Sequence, residues 1–455
     1  MAEAMRQAWA WVATILLLVF LPLAAPAEAQ NEPAPDRDEN VRVTGALRCP
    51  TLANPGGFPM ECVGRPFDFA ETLTRDWQGF RSELNRLGLT PTASYTAQFL
   101  GNPSGGQSKG FTYAGTFELL LHWDVGKLLP VEGLSLVVGT AWSTGRNLSA
   151  DEIGNIFTVQ SAYTAVDGGT NTATLGPLYL HQRLFDDTLI LAVGRLSPGD
   201  TFATMPVLNN YVNAGINAVP GSLGANIPSF AAYPPGVEWG AQALYNLSPA
   251  LQVDAGVFNA SRQSAAGAKG GADFSRGGDG TGVLSVIQVT YLNRPRTGLP
   301  GFYAIGGMYD SSKFSRVDGA GGTKNGNAGV YAMFQQMIYR DGGLDSQKGL
   351  TLWGEVAVAP RPSVSPLPVF GGGGITYQGL IPGRAQDAVS LGAIYGALSR
   401  DLPGTTAETV IEANYQFALA GGLSITPDLQ YVIRPGGVRG VGNAFVLGAQ
   451  VTLSF

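Results

Sequence analysis

Few residues in this chain could carry bond-making chemistry. Its two histidines, His122 and His181, lie in no nucleophile motif, and no glycine-rich phosphate loop or ligand-spaced metal set accompanies them. What recurs is a charged or amide side chain at every second position of otherwise apolar runs. Glu118 alternates with Phe117, Leu119 and Leu121, and Glu238 with Val237 and Trp239. Asp254, Glu355, Glu412, Asp428 and Arg434 repeat the arrangement, Trp353 shares the side of Glu355, and His181 shares a side with Arg183. Carboxylates, amides and guanidiniums beside an aromatic face suit a neutral solute rich in hydroxyls, stacked on its C–H face and hydrogen-bonded at its rim. The plainer reading of each charge is that it wets a polar interior without touching any solute. No catalytic residue, metal or cofactor is expected.

Side chains that alternate in this way must be held by strands, because only a period of two puts them on one face. From Pro91 onward the repeating unit is a run of about ten residues ended by Gly, Pro, Asn or Asp. Clear cases are Ala93–Phe99, Phe117–Trp123, Val237–Tyr245, Leu251–Val257, Ile411–Phe417 and Leu429–Ile433. Less regular runs lie near 134–144, 175–184, 188–196, 281–292, 301–310, 329–339, 349–359 and 389–399. A last run, Phe445 to Phe455, alternates to the end of the sequence. An even number is required of a closed antiparallel barrel of this kind, which predicts sixteen strands. The Gly/Pro-rich stretches 197–235, 261–280, 311–328 and 360–388 are then expected to be loops.

Composition points the same way. Charged residues make up 14% of the chain, against about 25% in ordinary soluble domains. Yet beyond the N-terminus no segment has the roughly 18 unbroken apolar residues of a membrane helix. A transmembrane, antiparallel, up-and-down β-barrel satisfies both facts, because its apolar residues alternate instead of clustering. Outward aromatics such as Trp123, Trp239, Tyr245, Tyr415 and Tyr431 suit interfacial girdles.

Residues 1–29 read as a signal peptide. Arg6 precedes an apolar stretch from Ala8 to Leu21, and Ala27-Glu28-Ala29 places cleavage before Gln30. Residues 30–90 form a periplasmic lead-in. Cys49 and Cys62, the only cysteines, are expected to pair in the oxidising compartment. One helix is expected from Arg75 to Leu87, with Thr74 as its cap, Gly88 as its stop, and Trp77, Phe80, Leu84 and Leu87 as a stripe that packs on something apolar. Residues 91–455 make the barrel. A net charge of −6 offers no basic surface for nucleic acid.

Several stretches, in order, resemble the carbohydrate-selective porin family, OprB-type. They are Trp77–Gly88 running into Leu89–Tyr95, Val193–Phe202, Asn209–Tyr211 through Pro220-Gly221 to Tyr233–Gly240, and Glu412–Leu419 followed by Leu423–Tyr431 and Arg434–Gly437. The resemblance covers about residues 72–455. It implies a sixteen-stranded outer-membrane barrel behind a helical N-terminal segment, and passive sugar uptake. Arg195 sits in the family-like stretch and is a constriction candidate, although its parity groups it with Leu189, Leu191 and Val193.

The expected partners are therefore small carbohydrates bound weakly and transiently, outer-membrane lipid, and the barrel insertion machinery, which would read the closing strand at Phe455. Monomer and homotrimer are both compatible with the sequence. So are a general or ion-preferring pore and a barrel adhesin, because width at a constriction is not written in strand parity.

Overall fold

The computed structural model describes residues 72–455 except 166–168, 218, 261–267, 273, 275–281, 294–297 and 345. The expected signal peptide and the expected Cys49–Cys62 pairing lie outside the described residues. Sixteen antiparallel strands close on themselves, each paired with its sequence neighbours and the first with the last. In chain order they are β1 (Leu89–Gly106), β2 (Phe111–Asp124), β3 (Leu134–Gly145), β4 (Asn171–Leu184) and β5 (Leu189–Leu196). Next come β6 (Glu238–Ser248), β7 (Leu251–Ala260), β8 (Gly282–Asn293), β9 (Gly301–Ser315), β10 (Thr323–Arg340) and β11 (Gly349–Val358). The last five are β12 (Val369–Gln378), β13 (Ala388–Ala397), β14 (Ala407–Ala420), β15 (Leu423–Ile433) and β16 (Gly442–Ser454).

Burial along the strands is inverted relative to a water-soluble sheet. On β8, Ile287 is 55% exposed while Gln288 beside it is 5% exposed. On β15, Tyr431 is 40% exposed and Gln430 is 1% exposed. A ring of outward apolar side chains around polar inward ones is stable when the surroundings are lipid.

Fifteen of the strands fall on runs visible in the sequence. The sixteenth is β12, inside the stretch expected to be a loop at 360–388. Its core, Gly371–Gly374, has no side chains to alternate. The stretch 311–328 is also mostly strand: β9 continues to Ser315 and β10 begins at Thr323.

The helix is shorter than expected. Arg75, Trp77 and Gln78 take positive φ, Trp77–Gly79 forms one 3₁₀ turn, and the α-helix proper, α1, spans Phe80–Arg86. Asp76 caps it by accepting from the Ser82 N–H (2.7 Å) and hydroxyl (2.5 Å). The expected apolar stripe is not the buried face, since Trp77, Phe80 and Leu87 are all exposed. The fully buried residue of α1 is Arg81. Its guanidinium donates to Thr72 Oγ1 and the Arg75 carbonyl (3.0 Å each), and to the Pro91 and Phe455 carbonyls (3.1 Å each), over the Trp77 ring. The upstream chain wraps around this side chain, and that wrapping breaks the first helical turn.

Arg81 thus joins α1 to both sides of the closing seam. β1 and β16 pair from Ser94↔Ser454 to Gly101↔Leu447. The seam is extended by the Leu73 N–H to Ser454 O (2.7 Å) and the Phe455 N–H to Ala93 O (2.8 Å). Replacing Arg81 with Ala strands buried carbonyls and removes charge-assisted bonds, a loss on the order of 3 kcal/mol. We expect Arg81→Ala to lower the temperature at which the folded band converts to the unfolded band on a semi-native gel, with Arg81→Lys intermediate. An unshifted transition in both variants would remove Arg81 from the closure.

Candidate functional site: a lumen narrowed by two infolded connections

The β5–β6 connection, residues 197–237, runs through the barrel and is pinned to its inner wall strand by strand. The Ala203 N–H donates to Gln288 on β8, the Val207 N–H to Gln335 on β10, and the Ser229 hydroxyl to Asp310 on β9 (2.9, 2.9 and 2.6 Å). Phe202 meets Phe258 of β7 edge-on at 6.3 Å. Farther along, the Val212 and Asn213 N–H groups donate to Glu412 on β14 (2.7 and 3.0 Å), and the Asn213 amide donates to Gln430 on β15 (2.9 Å).

The β3–β4 connection folds inward as well. The Ile156 and Phe157 N–H groups donate to Glu408 of β14, the Ala162 N–H to Gln98 of β1, and Thr112 of β2 to Gln160. The two connections meet through the Ser161 N–H to Val212 O (3.0 Å) and the Ala214 N–H to Thr158 O (2.8 Å). Backbone buried inside a barrel needs acceptors, and here carboxylates and amides of the wall supply them.

Of the candidate residues, Glu412 is therefore an anchor, sharing its oxygens with two N–H groups and the Asn414 amide (2.7 Å). Asp428 accepts from Gln430 (2.8 Å), which itself holds Val159 O (2.9 Å). Asp254 accepts from Gln242 (2.9 Å). Glu238 and Glu355 point inward and are buried. Glu118 shares the inward parity of Thr116 but keeps partial solvent access, and it lies close enough to Asp200 of the β5–β6 connection for their charges to interact. Tyr179, opposite the inward Val137 on β3, is also half-buried and within the field of Asp200.

Four candidates differ from expectation in placement, burial or partners. Trp353 points inward but is 1% exposed, with no free face for a solute. Its Nε1–H donates to Tyr211 Oη (2.8 Å), and the two rings meet edge-on at 5.3 Å. Tyr211 in turn donates to the Ile375 and Leu391 carbonyls (3.2 and 3.1 Å). Glycines make room for this lock: a Cβ on Gly392 would stand 2.8 Å from the Tyr211 ring, and one on Gly374 would stand 2.9 Å from Trp353 Nε1. Arg434 lies just past β15 in a left-handed conformation and is exposed, because the strand has ended there. Arg183, the next-to-last residue of β4, pairs with Asp187 at the adjoining turn (3.5 Å).

Arg195 is not at a constriction. It stands opposite Leu178 and Trp239, on the outward side. Its guanidinium is fully buried there, donating to Gly271 O (2.6 Å) and Leu175 O (2.9 Å) and lying over the Phe274 ring. β5 stops at Leu196, so β4 runs on beside a gap in the wall. The turn at Ala268–Gly271, from the β7–β8 connection, packs on β4. An uncovered outward arginine costs up to about 2–4 kcal/mol in a bilayer, so this cover is what makes the residue tolerable. Glu408 is the anchor that sequence reading missed. It shares the parity of Glu412, but it stands ahead of the clear alternation that starts at Ile411.

A closed barrel, apolar outside, polar inside and narrowed by two anchored connections, is a porin of the bacterial outer membrane. The family profile described as carbohydrate-selective porin, OprB family, matches residues 108–455, and the chain belongs to that family. Porin B of Pseudomonas aeruginosa is 26% identical over 428 residues, covering 84% of this chain and 90% of that protein. The putative porin QuiX of Acinetobacter baylyi is 23% identical over 421 residues, covering 84% and 93%. The high-pH structure of Pseudomonas putida OprB, 24% identical, shares the fold with a TM-score of 0.77 over 86% of this chain and 99% of that one.

Two substitutions separate anchors from wall. Glu412→Ala leaves two buried N–H groups without acceptors, a cost on the order of 2–6 kcal/mol, and should give a larger and noisier open-channel current. Arg195→Ala should leave conductance and sugar block unchanged while lowering thermal stability. A changed sugar block in Arg195→Ala would return that residue to the passage.

Proposed function

We propose that small sugars cross this porin by passive diffusion alongside Glu118, Asp200 and Tyr179. The observation that carries this reading is solvent access. Among the mid-strand inward carboxylates weighed above, Glu118 stays partly open, whereas Asp254, Glu355, Glu412 and Asp428 are covered. Asp200, on the connection that narrows the lumen, is the neighbouring half-buried carboxyl and accepts from the Tyr233 N–H (2.9 Å). Tyr179 supplies a half-buried ring within the same field.

A pyranose has a weakly apolar C–H face for stacking and a rim of hydroxyls for carboxylate acceptors. Each contact is worth about 1 kcal/mol, which retards the solute without trapping it. Such a site needs no energy source, since it favours entry from either side equally.

The test is current block in a planar bilayer with glucose titrated in. Wild-type current should fall saturably, and Glu118→Gln and Tyr179→Ala should each weaken the block on the order of three- to tenfold. Block by glucose that both variants leave intact would move the sugar path elsewhere.

A further inference from the structure

α1, ahead of β1, and Phe455, behind β16, stand on one rim of the barrel, together with the short connections 125–133, 185–188, 249–250, 379–387 and 421–422. Short turns mark the periplasmic side of such a barrel. Large apolar side chains are exposed in these turns, namely Leu128, Leu129, Phe185, Leu380 and Ile381. The opposite loops 107–110, 316–322, 359–368 and 398–406 expose no large apolar side chain. The periplasmic rim therefore suits a less polar neighbour than the outer one does.

The broadest part of this surface is one flank of α1. At helical spacing Phe80, Leu84 and Leu87 share that flank, and Ser82, Glu83 and Arg86 share the other. Trp77 extends the apolar flank, stacked on Phe80 with ring centroids 6.3 Å apart. Between the flanks run the two side chains that hold the rim. Arg81 binds the Pro91 and Phe455 carbonyls, and the Asn85 amide donates to Thr90 Oγ1 (2.8 Å). A helix seated along that line turns its two flanks to opposite sides of the wall.

The outward face of the wall is apolar right up to α1. Leu89 and Pro91 on β1 stand opposite Trp123 and Leu121 on β2, and Phe455 lies beside Ala93. No polar residue of outward parity intervenes there. The Gly88 carbonyl accepts from the Asp124 N–H (2.8 Å), and Lys127 Nζ donates to Asn85 O (2.7 Å), which brings the Leu128–Leu129 turn alongside the helix.

We propose that α1 lies in the periplasmic leaflet of the outer membrane, with Trp77, Phe80 and Leu87 at the headgroup–acyl boundary of its phospholipids. Lipid is the occupant because the apolar flank continues the lipid-facing wall without a break, and because tryptophan favours that depth. The polar flank, with the Glu83–Arg86 pair (2.6 Å), stays in water. The stripe that the sequence assigns to something apolar thus packs on bilayer and not on protein. Through Arg81 the helix fixes the height of the closing seam relative to the leaflet.

The experiment is the fluorescence of Trp77 in the full, mature protein in phospholipid vesicles, taken as the difference between wild type and Trp77→Phe. Lipids brominated near the headgroup end of the acyl chains should remove about half of this emission, and aqueous iodide should remove little. The same difference for Trp123→Phe supplies the response of a residue on the lipid-facing wall. Phe80→Asp combined with Leu87→Asp should raise iodide quenching of Trp77 about two- to fivefold and leave single-channel conductance unchanged. Phe80→Ser alone keeps the test decisive if the double variant inserts poorly.

A Trp77 open to iodide and untouched by brominated lipid would overturn the proposal and place α1 in the periplasm. Protection from both quenchers would overturn it as well, because a protein segment would then cover the flank. Lipid quenching that the Phe80 and Leu87 variants leave unchanged would sink it too, since the apolar flank would not be what holds the helix in the leaflet.

Discussion

Everything in this molecule depends on a backbone that meets lipid and must leave no N–H or C=O unpaired. A strand edge in hydrocarbon costs several kcal/mol for each orphaned group, so the sheet has to end where it began. That requirement explains the long pairing of β1 with β16 and the care taken at its end. Arg81, with its planar fork of donors, satisfies carbonyls from the lead-in, from β1 and from the last residue at once. The seam is the one place where strands distant in sequence must find each other, and it is the place where the chain outside the barrel adds bonds.

Closure creates a second demand inside. A barrel of sixteen strands encloses more space than its own side chains fill, and here two connections fold in to occupy it. Their backbones need acceptors in a confined polar space, and Glu408 and Glu412 meet that need from one strand, four residues apart on the same face. Tyr211 and Trp353 do the same by another means, with a ring-and-hydroxyl lock set into a recess of glycines. The charges that look like a pore lining in sequence thus divide into two populations. Some hold the connections in place, and the remainder stay open to the solute.

The short β5 shows how one local choice propagates. Stopping at Leu196 lets the chain turn inward to build the constriction, but it opens the wall beside β4. The β7–β8 turn and Arg195 close that opening from outside. An arginine on a lipid-facing parity is intelligible only when its cover is known, and the cover comes from a segment some seventy residues away.

By itself, the sequence determined the architecture. Alternation with a period of two says which face each residue takes, and in a barrel a face means lipid or lumen. That much placed Glu118, Glu238, Asp254, Glu355, Glu412 and Asp428 inward, and left Arg195 on the outward side despite the motif around it. Four consecutive glycines hid β12 because a strand without side chains has no pattern to read. Which inward groups remain open was decided only by the tertiary structure. Glu412 is covered because of hydrogen bonds to a connection 200 residues distant, whereas Glu118 keeps partial access, and parity carries no information about partners at that separation. Local periodicity reports the direction of a side chain; only the folded chain supplies what it meets.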